Sequence, residues 1–165
     1  MSGEVGGSKS GGLGAYVVGY LASTWTSYYD GQEVTSAGAL DIDHMVPLAE
    51  AWDSGASAWT PARREAYAND QGAHVSLVAV TARSNRQKSD QDPADWMPPS
   101  PDAQCWYIGE WVSTKLRWQL TADDRELEAL KVHADGPCEN TPYRLEPGME
   151  YDRSATAPAV RDVDS

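Results

Sequence analysis

Three side chains that could do chemistry together lie close to one another in an otherwise apolar stretch. Asp41, Asp43 and His44 stand inside the run Leu40–Leu48. Carboxylate oxygens are the ligands that Mg²⁺, Mn²⁺ and Ca²⁺ prefer, and a histidine that titrates near neutral pH is the usual general base. The residue types therefore indicate a hard cation beside a proton acceptor. An acidic helix cap next to a surface histidine would give the same short pattern.

Strand geometry would separate these side chains into two sets. If residues 40–46 form a β-strand, alternation sends Asp41 and Asp43 to one face and His44 to the other. Pro47 ends the pairing because it has no N–H to donate to a neighbouring strand. We therefore expect the acids and the imidazole at the end of a strand.

A second set of polar residues lies on a predicted helix that directly follows a predicted strand, further along the chain. Residues 76–80 have the composition of a buried strand, and residues 81–88 predict a short helix directly after it. That helix would return Asn85 toward the acidic strand and would hold Arg86 and Lys88 where they could contact phosphate. The two stretches are therefore expected to meet in one site.

The segments before and between these stretches predict a hairpin and a helix. Residues 16–21 and 24–29 are rich in β-formers, and Asp30–Gly31 is a strong turn signal. This pattern indicates a hairpin that leads into the acidic strand. The pair Thr60–Pro61 predicts the start of a helix that ends near Ala68, since threonine caps helices and proline fits their first position.

Two helices are predicted after the proline-rich residues 90–101, which exclude long regular structure. Apolar positions recur three and four apart across residues 103–118. Thr121 would cap a further helix that runs to about His133 and stops at Gly136. The positions expected to face the core are Tyr107, Ile108, Trp111, Val112, Leu116, Leu127, Leu130 and Val132.

Two strings resemble the HNH endonucleases, whose fold is the ββα-metal finger. They are Asp-Ile-Asp-His-Met-Val-Pro-Leu at residues 41–48 and Asn-Arg-Gln-Lys-Ser-Asp at residues 85–90, and the HNH domain of RNA-guided CRISPR nucleases has nearly the same two strings. The resemblance covers about residues 40–138. It implies an α+β fold, in which an HNH ββα-metal core has a preceding β-hairpin and packed C-terminal helices. Further segments resemble secreted actinobacterial HNH nucleases more closely: residues 47–52, 54–56, 68–70 and 90–99.

Matching positions imply a role for each polar residue of the two strings. Asp43 and Asn85 would hold one Mg²⁺ or Mn²⁺, and His44 would be the general base. Arg86 and Lys88 would position phosphate. In the same comparison, Asp41 is either a supporting partner behind the ligands or a salt-bridge residue.

The family's middle asparagine has no clear counterpart in this chain. Many HNH proteins have Asn-Leu where this sequence has Ser76-Leu77, so Asn69 is the nearest candidate. The resemblance gives Asn69 a supporting role, in which its side chain would hold the active-site loop by hydrogen bonds. His74 is expected to be a loop histidine.

The resemblance implies a metal-dependent endonuclease that hydrolyses phosphodiester bonds of DNA with little sequence specificity. An RNase or toxin domain on the same fold is the first alternative, and only a substrate assay separates the two. A catalytically inactive binding module is the second alternative. The presence of Asp43, His44, Asn85 and Lys88 argues against it.

The net charge of −12 at pH 7 is unusual for a protein that approaches a polyanion. Non-specific affinity for nucleic acid comes mainly from Lys and Arg on phosphates. Either the basic residues are concentrated near the site, or metal ions supply much of the attraction. The acidity would also keep an exported protein soluble. No apolar run is long enough to span a membrane, so no membrane partner is expected.

Cysteine usage bears on the compartment. Cys105 and Cys138 are the only two, and they lack the spacing of zinc ligands. One pair fits a single disulfide in an exported protein, whereas two buried free thiols would fit a cytosolic one. The resembling nucleases have cysteines in similar places, which favours the disulfide and a secreted protein. The first residues lack the pattern of a signal peptide, so a mature or recombinant form is expected.

The 165 residues predict one main domain with two flanking segments. Residues 1–14 indicate a flexible lead or linker, residues 15–138 the HNH nuclease domain, and residues 139–165 a C-terminal tail. The string at residues 151–155 resembles one that precedes the hairpin in the secreted nucleases. A circularly permuted order is therefore one interpretation of this tail.

Overall fold

The computed structural model of the protein describes residues 24–141. The predicted lead, the first predicted β-rich segment and the string at residues 151–155 lie outside this range, so the predicted domain limits stay predictions. The described part is α+β, which confirms the predicted fold class. Its elements are β1 (Trp25–Thr26), β2 (Glu33–Val34), β3 (Leu40–His44), α1 (Leu48–Asp53), α2 (Pro61–Ala68), β4 (Leu77–Thr81), α3 (Ala82–Lys88), α4 (Pro101–Trp118) and α5 (Asp124–Ala134). Short 3₁₀ turns precede β3 (Ala37–Ala39) and α2 (Ala56–Ala58).

The centre of the fold is a strand pair with a helix directly after it. β3 pairs antiparallel with β4, and the register places Asp43 opposite Val78 and His44 opposite Leu77. α3 begins immediately after β4, because the Thr81 side chain accepts a hydrogen bond from the Ser84 backbone N–H and caps the helix. This is the predicted ββα arrangement: β4 is shifted by one residue, α3 begins one residue later, and β3 ends at His44, two residues earlier than predicted.

The predicted hairpin is present, but its strands are shorter than expected. β1 pairs antiparallel with β2 over two residues each, across a turn in which Gly31 has a φ of 66° that glycine adopts without strain. After Thr26 the β-rich segment also binds β4, while the Ser27 N–H still donates to the Gln32 carbonyl of the hairpin at 2.8 Å. The Tyr28 N–H donates to the Ala79 carbonyl, and the Ser27 hydroxyl accepts from the Thr81 N–H.

The helices lie where the sequence predicted, with one cap corrected. α2 begins at Pro61 with Thr60 as its cap, and α4 begins at Pro101. Asp123, not Thr121, caps α5, because its carboxylate accepts from the Glu126 N–H. A carboxylate also interacts favourably with the positive end of a helix.

Three apolar side chains predicted to face the core are exposed. Leu116, Leu127 and Val132 are 58%, 42% and 60% exposed. The buried stripe of α5 follows Glu126 and Leu130, which are four residues apart and share one face of the helix. Leu127 and Val132 lie off that stripe, so the prediction of an inward position is wrong for them. On α4, the buried Lys115 takes a core position beside the exposed Leu116.

The aromatic rings of the core belong to tyrosine and tryptophan, because the sequence has no phenylalanine. Tyr29, Tyr107 and Trp111 are fully buried, and the Tyr29 and Tyr107 rings meet edge to face with centroids 5.6 Å apart. Cys105 and Cys138 form a disulfide with their Cα atoms 5.2 Å apart, the pairing that the resemblance favoured. The lost entropy of the unfolded chain makes such a crosslink worth about 3–4 kcal/mol.

A buried charge cluster, which the sequence did not indicate, joins α1, α4 and α5. The Lys115 ammonium donates to carboxylates of Glu50 at 2.9 Å and Glu126 at 2.5 Å. The Trp111 indole N–H also donates to Glu126. Burial raises the pKa of Glu126, although the hydrogen bonds from Lys115 and Trp111 oppose this shift. Within residues 24–141, no helix is long and apolar enough to cross a membrane.

Candidate active site

The ββα unit brings the two predicted polar strings together. Asp41 and Asp43 contact side chains of α3, whereas His44 contacts α2. The Asn85 amide nitrogen lies 3.3 Å from an Asp41 oxygen. A carboxylate only accepts hydrogen bonds, so the amide nitrogen faces Asp41 and the amide oxygen of Asn85 points elsewhere. Asp41 therefore orients Asn85, and its role in a metal site stays a prediction.

Asp43 is buried and tightly held. Its Oδ2 accepts from the Lys88 ammonium at 2.5 Å and from the Tyr29 hydroxyl at 2.8 Å, and the Asp43 residue is 8% exposed. Burial, followed by the charge of Asp43, raises the pKa of Tyr29 well above its ordinary value. Tyr29 is therefore a hydrogen-bond donor to the carboxylate at neutral pH.

Lys88 faces the interior, not the solvent. Its side chain is fully buried, and its ammonium donates to the His44 carbonyl at 2.6 Å as well as to Asp43. Burial lowers the pKa of Lys88, although the neighbouring carboxylate opposes this shift. The predicted contact with phosphate is wrong for Lys88, because its ammonium is buried against Asp43 and the His44 carbonyl of β3. Arg86 is exposed on the same helix, and its predicted role stays a prediction.

The His44 ring is oriented by a hydrogen bond to a backbone carbonyl. Its Nε2 lies 2.9 Å from the Ala68 carbonyl oxygen at the end of α2. A carbonyl only accepts, so Nε2 carries the proton and Nδ1 of the neutral ring holds the lone pair. The residue is half-buried. This contact fixes the tautomer and leaves Nδ1 as the atom that could take a proton.

The oxygen atoms that Asp43 and Asn85 could offer as ligands fit a small hard cation. Asp43 offers Oδ1, since its other oxygen is bound by Lys88 and Tyr29, and Asn85 offers its amide oxygen. Mg²⁺ needs only one or two carboxylates in proteins because it keeps several waters. Residues 24–141 contain no group of three or more His, Cys, Asp or Glu side chains that could hold an ion.

Asp30 fixes the start of the helix that carries Asn85. Its Oδ2 accepts from the Thr81 hydroxyl at 2.6 Å and from the Ser84 hydroxyl at 2.8 Å. Thr81 is the N-cap of α3 and Ser84 lies in its first turn, whereas Asp30 lies in the hairpin turn. The sequence predicted the turn at Asp30–Gly31, but it did not predict that Asp30 also binds the Thr81 and Ser84 hydroxyls.

The loop before β4 is organised by Asp70, not by Asn69. The Asn69 amide donates to the Glu65 carbonyl at 2.9 Å and so closes the last turn of its own helix. Asp70 is buried and accepts four different donors. They are the Gly72 N–H, the Ser76 hydroxyl, the Arg117 guanidinium and the Trp118 indole N–H. An aspartate two residues before a glycine is a known turn signal that could have identified it. His74 lies half-buried in this loop, as predicted.

Asp70 makes stability depend on pH. Burial alone would raise the pKa of Asp70, but its hydrogen bonds lower it below the usual value. A folded pKa below the unfolded value, about 3.9, means that the stabilisation is present above that pH and is lost as pH falls through the folded pKa.

We expect Asp70→Asn to lower the free energy of unfolding at pH 7 by about 1.5–3 kcal/mol. The difference from the parent protein should begin to shrink below about pH 4, because Asp70 of the unfolded chain then takes up a proton and the folded carboxylate follows at lower pH. Urea denaturation at several pH values measures this. A difference that stays constant down to pH 3 would contradict the assignment.

Comparison with known proteins identifies similar sequences. The family described as "GmrSD restriction endonucleases, C-terminal domain" matches residues 9–131. An "Uncharacterized secreted protein" of Arthroderma benhamiae is 41% identical over 122 residues, which cover 72% of this chain and 59% of that protein. The chain thus spans about three-fifths of the length of this relative. No solved structure matches the chain.

Proposed function

Since the chain belongs to the family of the C-terminal domains of GmrSD restriction endonucleases, we propose that it is a metal-dependent endonuclease of the HNH type. It hydrolyses phosphodiester bonds of DNA with little sequence specificity, and its residues 47–52 and 90–99 resemble the secreted actinobacterial HNH nucleases. The observation that carries this proposal is the arrangement around β3. A histidine with one ring nitrogen bonded to a carbonyl lies next in sequence to an aspartate held on one oxygen.

His44 acts as the general base. Its Nδ1 takes the proton of the attacking water, while the Nε2–H bond to the Ala68 carbonyl holds the ring in place. The His44 ring stays neutral before the reaction in this scheme, because an imidazolium has no lone pair to accept the proton.

Asp43 and Asn85 hold Mg²⁺ or Mn²⁺ through their free oxygens, and Asp41 keeps the Asn85 amide turned for this purpose. When bound, the cation stabilises charge on the phosphoryl and leaving oxygens. Arg83 and Arg86 are exposed on α3, three residues apart, and would contact the phosphates on either side of the cleaved bond. They supply local positive charge in a chain whose net charge is −12.

Export from the cell is part of the proposal. The similar protein of Arthroderma benhamiae is described as secreted, and the Cys105–Cys138 disulfide fits an oxidising compartment.

Supercoiled plasmid should be nicked in the presence of Mg²⁺ or Mn²⁺ and left intact in EDTA. Parallel incubations with RNA and with linear DNA establish which nucleic acid is cleaved. Undiminished cleavage in EDTA would exclude the metal role of Asp43 and Asn85. Faster cleavage of RNA would favour the RNase or toxin alternative. Failure to cleave either polymer with any divalent cation would favour the binding module.

A further inference from the structure

One oxygen of Asp43 is enclosed by two buried donors. The Tyr29 hydroxyl and the Lys88 ammonium both bind Oδ2, at 2.8 and 2.5 Å. Tyr29 and Lys88 are both fully buried. A carboxylate with two donors on one oxygen has little freedom to turn that oxygen toward a third partner.

Neither donor is free to leave this position. Lys88 also binds the His44 carbonyl at 2.6 Å, and its ammonium lies 5.4 Å from the centroid of the Tyr29 ring. The Tyr29 ring packs edge to face against Trp96 and Tyr107, with centroids 5.0 and 5.6 Å away. The contacts on each side chain therefore fix the Asp43 carboxylate as well.

We propose that Tyr29 and Lys88 form a clamp that makes Asp43 a one-oxygen ligand and thereby selects small octahedral cations over Ca²⁺. This inference rests on the proposed function, in which Asp43 holds a cation. Mg²⁺ demands near-ideal octahedral geometry and takes few protein oxygens, whereas Ca²⁺ takes six to eight oxygens and readily accepts both oxygens of one carboxylate. With Oδ2 occupied by the clamp, the second coordination bond to Ca²⁺ is unavailable. Tyr29 and Lys88 are thus positioning residues that act through Asp43.

Tyr29→Phe removes the hydroxyl donor and keeps the ring. Partners behind a metal ligand typically contribute 10–100-fold to metal affinity. We expect Tyr29→Phe to weaken Mn²⁺ binding by about 10-fold or more. Ca²⁺ binding should be weakened less or should improve, because Oδ2 loses one of its two donors. The ratio of Mn²⁺ to Ca²⁺ affinity, measured by calorimetric titration, should therefore fall.

Tyr107→Phe is the matched control. Its hydroxyl is equally buried and finds no hydrogen-bond partner within residues 24–141, and its ring contacts that of Tyr29. Both variants lose one oxygen from the same aromatic cluster. The Mn²⁺ and Ca²⁺ affinities of Tyr107→Phe should match those of the parent protein, so a general effect of loosened packing would appear in both variants.

The outcomes separate the clamp from the proposed function. If the parent protein binds Mn²⁺ and cleaves DNA while Tyr29→Phe keeps the parent affinity ratio, the clamp is wrong and the proposed function stands. If the parent protein binds no Mn²⁺, both are overturned. Should Tyr29→Phe fail to fold, Lys88→Gln supplies the second test, because a neutral amide donates a weaker hydrogen bond to Oδ2 than the ammonium does. We expect it also to lower the ratio, and an unchanged ratio would reject the clamp.

Discussion

His44→Ala is expected to slow the cleavage of plasmid DNA by a factor on the order of 10²–10⁴ and to leave Mn²⁺ affinity nearly unchanged. The reason is the direction of the imidazole. Its Nε2–H donates to the Ala68 carbonyl and is therefore not available to the substrate. The substitution removes one reactive atom, Nδ1, which is the proposed proton acceptor. The proposed cation ligands are held by other side chains: Asp43 binds Lys88 and Tyr29, and Asn85 binds Asp41.

Plasmid nicking and calorimetric titration with Mn²⁺, made on the same preparation, measure this separation. His74→Ala is the control histidine, because His74 lies in the loop before β4 and has no role in the proposed mechanism. It should cut at nearly the parent rate. Loss of Mn²⁺ binding in His44→Ala would make His44 a ligand, and cleavage at the parent rate would place the active site elsewhere.

Local signals in the sequence predicted most of the backbone. Thr60 and Thr81 cap their helices through hydrogen bonds to residues three positions further on, and Asp30–Gly31 forms the hairpin turn. These features depend on near neighbours and are therefore readable from short strings. The packing of α3 against β3 was also predicted, because the order strand, strand, helix allows few other arrangements; in the structure Asn85 contacts Asp41 and Lys88 contacts Asp43.

The buried polar contacts were not predictable from local patterns. Lys88 lies on a short polar helix next to the exposed Arg86, and only its spacing of three from Asn85 indicates that the two share a face. Its burial follows from the pairing with Asp43, which is 45 positions away in the sequence. The burial of Lys115 was not predictable for the same reason, because its partners lie on two other helices.

Neighbouring tyrosines show how little residue type reveals about the site. Tyr28 and Tyr29 both look like core aromatics in the sequence, yet the Tyr28 hydroxyl binds Glu110 and that of Tyr29 binds Asp43. Both residues lie in the hairpin turn, and only Tyr29 reaches Asp43. Which one does so depends on how the hairpin docks on β4.

The position of Lys88 changes which variant tests the metal site best. Asp43→Ala would remove a proposed ligand and would also leave a buried ammonium without its carboxylate. Breaking a buried ion pair in this way costs about 3–5 kcal/mol, so lost cleavage could reflect unfolding. Asn85 is half-buried, and the contact of its amide with Asp41 is 3.3 Å long. Its truncation should cost much less stability.

Asn85→Ala is therefore expected to lose Mn²⁺ binding and DNA cleavage together while keeping the melting temperature close to that of the parent protein. A cation that keeps most of its waters has few protein oxygens, so the loss of one of two proposed ligands should abolish measurable binding at micromolar metal. Gln87→Ala is the matched control, since Gln87 is exposed two residues further along α3. It should bind Mn²⁺ and cut as the parent does. Mn²⁺ binding at parent affinity in a folded Asn85→Ala protein would remove Asn85 from the metal site, and parent-rate cleavage by that variant would remove it from the mechanism.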